Sequence, residues 1–187
     1  MPSTYVAHTP DSAPALAADG LRQLHAAVGL VPNLAATMAE SPALLNGFLA
    51  LRNLYAQTGF TGGEVQVLSL TAAFENDCPW CMAFHTAMAL KEGVERQAVD
   101  ALRRGEAPAD PRLAALSRFA RAMVRNRGAV DPPTQQAFHA AGYSARQALD
   151  VVMGLAFSLM ANYAAHVTRP AVDEFLKPHT WLPEGTH

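Results

Sequence analysis

The apolar positions of this chain fall in Ala- and Leu-rich segments, and no segment alternates β-branched with polar residues over the length of a strand. Ala and Leu favour the helical backbone. In the segment after residue 61, for example, Val65, Leu68 and Ala72 have the spacing that places them on one side of a helix. The pattern therefore predicts an all-α protein.

Capping residues divide the chain into helices. The predicted starts are Asp11 with Pro14, Ser41-Pro42, Thr61 to Glu64, Cys78-Pro79, Asp110-Pro111, Asp131-Pro132 and Ser144 to Gln147. The predicted ends are Gly29, Gly59, Asn76, Gly93, Gly128, Gly142 and Arg169-Pro170, with a short helix to about Lys177 after the last of these. We expect a compact bundle of about eight helices. All 187 residues should form one domain with its core at 41–105, and the first ten and last five or so residues should be frayed.

Charge and hydropathy narrow the class of protein. Only 16% of residues are charged, against about 25% in an average domain, and the net charge is −2. Few charges favour a surface buried in a homo-oligomer, and the lack of a basic stripe argues against nucleic acid as a partner. The longest apolar stretch, 151–161, is about half of what a bilayer requires, and the N-terminus does not resemble a secretory signal. We therefore expect a cytoplasmic protein without a membrane partner.

The chemistry lies in one short segment, Asn76-Asp77-Cys78-Pro79-Trp80-Cys81-Met82-Ala83-Phe84-His85. If a helix begins at Cys78, then Cys81 and His85 follow on the same face, with the sulfurs close enough for a disulfide and the imidazole near Cys81. Free N–H groups and the dipole at a helix start favour a thiolate, which is the form that attacks. By this argument alone Cys78 is the more acidic thiol.

Two structural roles compete with thiol chemistry. Cysteines on an apolar helix are often small buried hydrophobic residues. Cys78, Cys81 and His85 also offer three zinc ligands, for which His25, His139 or His166 would be the fourth. The residues Phe48, Met82, Phe84, Met88, Phe157 and Met160 are interpreted as core or interface.

The segment from Glu64 to Gly93 resembles the core of the alkylhydroperoxidase AhpD-like proteins, in the carboxymuconolactone decarboxylase family. The matching pattern is Asn-x-Cys-x-x-Cys-x-x-x-His between two helices, at Asn76, Cys78, Cys81 and His85. Weaker similarity extends over most of the chain, to Val31-Pro32-Asn33-Leu34 upstream and to Asn162, Asp173 and Phe175 downstream.

This resemblance implies an all-α, oligomeric protein that reduces peroxides with its cysteine pair. It implies that Cys81 attacks the peroxide oxygen and that Cys78 resolves the sulfenic acid, with His85 beside Cys81. Relatives carry a proton-relay glutamate where this chain has Gln66, and an amide cannot exchange a proton at neutral pH. Glu64 is interpreted as half of a capping box with Thr61. The proton relay of this chain therefore lacks the carboxylate of its relatives, which predicts weak peroxidase activity or a different substrate.

The sequence therefore predicts a thiol-dependent peroxidase of the alkyl hydroperoxide reductase kind, with Cys78, Cys81, His85 and Gln66 as site residues. No cofactor or metal is expected, and a dithiol protein or small thiol would be the reductant. Two further functions stay open. One is a carboxymuconolactone decarboxylase-like enzyme of the same fold, whose chemistry needs no cysteine pair, and the second is a non-enzymatic redox-sensing or zinc-holding protein.

Overall fold

The computed structural model describes residues 5–183, which form nine α-helices and a terminal 3-10 helix and include no β-strand. The elements are α1 (Ala15–Val28), α2 (Asn33–Met38), α3 (Pro42–Tyr55), α4 (Gly62–Glu75), α5 (Pro79–Lys91), α6 (Arg96–Arg103), α7 (Pro111–Arg125), α8 (Pro132–Ala140), α9 (Ala145–Thr168) and η1 (Glu174–His179). The all-α prediction is confirmed.

The capping residues account for most of these boundaries. Both predicted capping boxes are formed, by Thr61 with Glu64 and by Ser144 with Gln147. The short helices α2 and α6 were not predicted. In neither helix does the N-cap residue, Pro32 or Glu95, make a capping side-chain hydrogen bond, so the sequence signal that marks most of the helix starts is missing.

The ends of the described chain can be compared with the frayed segments that the sequence predicted. Residues 1–4 and 184–187 lie outside the described part of the chain. From His8 onward the N-terminal segment is attached to the bundle. The His8 backbone N–H donates to the Ala36 carbonyl at 3.1 Å, and its ring contacts Glu40 at 2.7 Å.

The central element is α4, which packs against α5, α6, α7 and α9. Its side chains Val67, Leu68 and Leu70 are fully buried. Burial on several sides fixes the orientation of this helix, and with it the direction in which the partly exposed Gln66 projects.

A tight corner joins α4 to α5 and sets the position of the cysteines. Asp77 has a left-handed backbone, with φ of 47°, and Cys78 then returns to an extended conformation. The Cys78 backbone N–H donates to the Ala73 carbonyl at 2.9 Å. The first residue of the thiol pair is thus held by the end of one helix while it caps the next.

The longest helix, α9, is packed against α2, α3, α4, α5 and α7. Among the described residues it is the one helix with the length and apolar composition to cross a membrane, and 44% of its most apolar window is buried inside the fold. Its packing against five helices of the bundle is that of a core helix.

Candidate active site

Cys78 and Cys81 meet at the start of α5. Cys78 precedes the first helical residue, and its sulfur accepts the backbone N–H of Cys81 at 3.4 Å. Both cysteines are fully buried and both are free thiols. The spacing in the sequence therefore does bring the two sulfurs together, here as a reduced pair.

The two thiols differ in acidity. The hydrogen bond from the Cys81 thiol lowers the pKa of Cys78, and the Cys81 backbone N–H and the Asn162 amide lower it further, against the opposing effect of burial. Burial raises the pKa of Cys81 well above its ordinary value, and hydrogen bonding to Cys78 adds to that rise. Cys78 is therefore the thiol that ionises first, as the helix-start argument predicts.

Asn162 is a buried polar residue of α9 that serves both sulfurs, because its side-chain amide hydrogen bonds to each of them. Its orientation is fixed from the opposite side. Asn76 Nδ2 donates to Asn162 Oδ1 at 3.1 Å and to the Ala72 carbonyl at 2.8 Å. Since the Asn162 oxygen is already paired, its NH₂ group is the end that faces the thiols.

His85 lies one turn after Cys81 and is almost completely buried. Burial lowers the pKa of its ring to about 4, so the imidazole is neutral at neutral pH. His85 Nδ1 is 2.8 Å from Gln66 Oε1. An amide oxygen only accepts hydrogen bonds, so Nδ1 carries the proton and Nε2 keeps its lone pair. Gln66 thus selects the tautomer in which Nε2 can act as a base.

Glu64, the second polar candidate on α4, is not part of this site. Its carboxylate accepts the Thr61 backbone N–H at 2.9 Å and pairs with Arg112 at 3.0 Å. This is the capping-box role expected from the sequence, extended by an ion pair. Two positions apart on α4, Glu64 and Gln66 therefore serve different sites.

A cavity of about 410 Å³ leads to Cys81 and His85. Aromatic side chains form much of its wall. Phe48 and Phe157 stack with ring centroids 4.7 Å apart, and Trp80 and Phe84 stack at 5.2 Å. Phe48, Phe84, Met88 and Phe157, which the sequence suggested were core or interface, thus line a cavity that ends at a thiol.

A second opening reaches the second thiol. A cleft of about 480 Å³ is lined by Cys78, Ala165, His166 and Arg169, and Cys81 is not among its lining residues. Trp80 contributes to both spaces. The two cysteines of the pair therefore line different openings.

Trp80 is held in place by Asp173, which precedes η1. The indole Nε1–H donates to Asp173 Oδ2 at 3.0 Å, and the Oδ1 atom of the same carboxylate accepts the Asn33 backbone N–H at 3.0 Å. Asp173 thereby joins the start of α2 to the thiol segment. The sequence indicated Asp173 and Asn162 only through the resemblance, because nothing local marks a contact between residues so far apart.

The zinc hypothesis has no ligand set in residues 5–183, where no three His, Cys, Asp or Glu side chains are arranged to hold a metal. Two of the proposed fourth ligands are engaged elsewhere. His139 Nδ1 contacts the Tyr143 carbonyl at 2.9 Å, and His166 Nε2 contacts the Asn76 carbonyl at 2.6 Å.

Comparison with known proteins shows what the segment around this site is similar to. Residues 42–122 match the model of the carboxymuconolactone decarboxylase family. A search of curated proteins found no match. A structure from Ralstonia eutropha JMP134, described as the alkylhydroperoxidase AhpD core of an uncharacterized peroxidase-related protein, is similar with a TM-score of 0.82 and 21% identity, over 93% of this chain and 94% of that one.

Two further solved structures are similar over nearly the whole chain. A peroxidase-related protein from Silicibacter sp. TM1040 gives a TM-score of 0.77 at 21% identity, over 94% of this chain and 95% of that one. The debrominase Bmp8, solved in complex with 2,3,4-tribromopyrrole, gives 0.78 at 17% identity, over 96% of each chain. Segment 42–122 of this chain thus matches the carboxymuconolactone decarboxylase family model, and the chain has the AhpD-like fold.

Proposed function

We propose that the protein is a thiol-dependent peroxidase that reduces organic hydroperoxides at Cys81 and regenerates through Cys78. The proposal rests on three features that occur together at the start of α5: a hydrogen-bonded thiol pair, a neutral buried histidine and an apolar cavity lined by Cys81. The AhpD-like fold is consistent with this chemistry.

In the first step the Cys81 sulfur attacks the terminal oxygen of the hydroperoxide. The O–O bond breaks, the sulfur becomes a sulfenic acid, and the alkoxide leaves as an alcohol once it has gained a proton. Because burial raises the pKa of Cys81, its proton must be removed as attack proceeds. The free Nε2 of His85 accepts that proton and returns it to the departing oxygen.

In the second step the Cys78 thiolate attacks the Cys81 sulfenic sulfur. The S–S bond forms, the S–O bond breaks, and the hydroxyl group leaves as water after protonation. The lowered pKa of Cys78 suits it to this resolving role, since the thiolate is the nucleophile. One hydroperoxide and two thiols thus yield an alcohol, water and a disulfide.

The cycle closes with an external reductant. The sequence contains two cysteines and both are used in forming the disulfide. A dithiol protein or small thiol must therefore return the pair to its reduced form by thiol–disulfide exchange.

The test measures how many peroxide molecules and how many thiols are consumed per chain. Reduced protein is mixed with an alkyl hydroperoxide, and both the remaining peroxide and the free thiols are counted. We expect one peroxide consumed and two thiols lost per chain without reductant, and repeated turnover with dithiothreitol. A double Cys78→Ser, Cys81→Ser variant is the control. Peroxide loss with intact thiols, or thiols inert to every hydroperoxide tried, would overturn the proposal.

The aromatic cavity wall favours a second candidate, reductive debromination of a flat ring. Here the Cys81 sulfur takes the halogen, the ring carbon gains a proton, and Cys78 displaces bromide to form the same disulfide. A carbon–bromine bond and two thiols yield a carbon–hydrogen bond, a disulfide, a proton and bromide. Bromide release from a brominated pyrrole, measured beside the peroxide assay, separates the two reactions.

Lactone decarboxylation, zinc holding and redox sensing have less support. Lactone decarboxylation has no use for the hydrogen-bonded thiol pair, and zinc holding has no ligand set in the described residues. A redox sensor would form the disulfide without repeated turnover, which the assay with dithiothreitol detects. We further propose a cytoplasmic homo-oligomer.

A further inference from the structure

We propose that the cavity at Cys81 takes an apolar substrate that carries a carboxylate, bound by Arg52 and Lys91. This inference rests on the proposed function and names its substrate class. Both residues line the cavity, and none of the Asp and Glu residues that the structure describes does.

The face of α5 that lines the cavity runs from the thiol to a cation. Cys81, Phe84, His85, Met88 and Lys91 all line it, at the three- and four-residue spacing of one helix face. Ten residues of helix place the Cα atoms of Cys81 and Lys91 about 15 Å apart. Cys81 is fully buried whereas Lys91 is exposed, so the cavity passes from solvent at the cation to the buried sulfur.

The face of α3 repeats this order. Phe48 lines the aromatic wall, and Arg52 follows one turn later at the end of the helix. Arg52 is partly buried. A guanidinium at this depth is a fitting partner for a carboxylate, which it binds with two parallel hydrogen bonds.

Neither cation forms an ion pair within residues 5–183, although most Arg and Lys side chains there do. The paired cations are Arg22, Arg96, Arg104, Arg112, Arg121, Arg125, Arg146 and Lys177. A place in the last turn of a helix suits a cation through the helix dipole. That effect accounts for the position of Arg52 and Lys91 along their helices, but it leaves both charges available at the mouth of the same apolar cavity.

The arrangement sets the orientation of the substrate. The carboxylate would stay near solvent at Arg52 and Lys91, the hydrocarbon or ring would lie against Phe48 and Phe84, and the reactive group would reach Cys81. A neutral substrate of the same shape would keep the apolar contacts and lose the charged ones.

The binding test uses unreactive probes, phenylbutanoate and its neutral amide, titrated calorimetrically into the reduced protein. We expect the carboxylate to bind about tenfold more tightly, in line with a charged hydrogen bond at a partly exposed site. The Arg52→Gln, Lys91→Gln double variant should lose most of this preference, and Arg52→Lys alone should retain part of it. Arg118→Gln, which removes an exposed cation of α7, should bind both probes like the wild type.

A kinetic test compares the turnover of a fatty-acid hydroperoxide with that of its methyl ester. The double variant should raise KM for the acid about tenfold and so reduce the preference for acid over ester. Equal affinity of the wild type for both probes, or an unchanged preference in the double variant, would overturn the inference. Carboxylate binding without any hydroperoxide turnover would instead overturn the proposed function and leave the binding site standing.

Discussion

At the scale of single residues, the proposed mechanism depends on a proton that passes through His85. His85→Gln keeps a polar side chain of similar length but has no proton to exchange. We expect peroxide turnover to fall about 10²–10⁴-fold, the usual contribution of a general acid–base group. Gln66→Ala should cost far less, because it removes only the partner that selects the tautomer. Turnover measured across a pH series checks both. If His85→Gln kept the wild-type rate and pH profile, His85 would have no role in proton transfer.

The pH profile of Gln66→Glu should be measured in the same series. A carboxylate at this position would favour the charged imidazole and raise the pKa of His85, so the pH profile should move toward neutral pH. If neither Gln66→Glu nor Gln66→Ala moves the profile, the side chain at position 66 has no part in the relay.

The same histidine links stability to pH. Burial lowers the pKa of His85 to about 4, whereas in the unfolded chain it returns to about 6.5. Between these values the unfolded state binds the proton more readily, so the free energy of unfolding should fall as the pH drops from about 6.5 to about 4, by up to about 3 kcal/mol. Urea unfolding at several pH values measures this loss. In His85→Gln the slope over this window should be clearly smaller, and an equal slope would assign it to different groups.

Local spacing predicted part of the site. Cys78, Cys81 and His85 are close in sequence, so helical periodicity sufficed to place them on one face. Gln66 was found through the family pattern. The roles of Asn162, Arg52 and Lys91 could not be predicted in this way, because they depend on how α3, α5 and α9 pack, and no spacing within one helix encodes that.

At the scale of whole elements, α9 contains a glycine where helix propensity alone would favour alanine. A Cβ on Gly154 would lie 2.7 Å from the Tyr55 ring, and that ring is buried and packs against Phe157. Gly154→Ala should therefore lower the free energy of unfolding by about 1–3 kcal/mol, despite the better propensity of alanine.

The matched control lies in α3. Gly47 is also within a helix, but a Cβ there would meet only the Met160 Cε atom, at 3.8 Å. Gly47→Ala should raise the free energy of unfolding by about 0.5–1 kcal/mol. Chemical denaturation of the two variants tests the packing of α9 on α3, and a stabilising Gly154→Ala would contradict it.

The helix starts show why most elements could be predicted and two could not. Most helices begin after a residue whose side chain accepts the backbone N–H three positions later, and such residues can be recognised in the sequence. Examples are Ser41, Asp110 and Asp131. The start of α2 is instead held by the carboxylate of Asp173, which is distant in the sequence, and α6 is held by the burial of Val99 and Leu102. Such helices leave no comparable local signal.

At the scale of the whole molecule, α9 presents an exposed apolar strip. Leu149, Val152, Tyr163 and Val167 are each at least half exposed, and helical geometry places them within about 60° of one another over roughly 27 Å. This strip is a suitable contact between copies, which the low charge content also favours. We expect a dimer or larger assembly in sedimentation at micromolar concentration.

A paired substitution tests that surface. Leu149→Lys with Tyr163→Lys should dissociate the assembly, because each adds a charge to the strip. Leu16→Lys, at a similarly exposed leucine of α1, should leave it intact. A wild-type protein that sediments as a monomer would refute the predicted assembly.

In the proposed cycle Cys81 attacks the substrate and Cys78 resolves the product, although Cys78 is the more acidic thiol. The most direct test of these roles is mass spectrometry of the single Cys→Ser variants after one equivalent of hydroperoxide in the presence of dimedone, which labels sulfenic acids. We expect a dimedone adduct on Cys81 in Cys78→Ser and an inert Cys78 in Cys81→Ser. An adduct on Cys78 in Cys81→Ser, with Cys81 left reduced in Cys78→Ser, would contradict it.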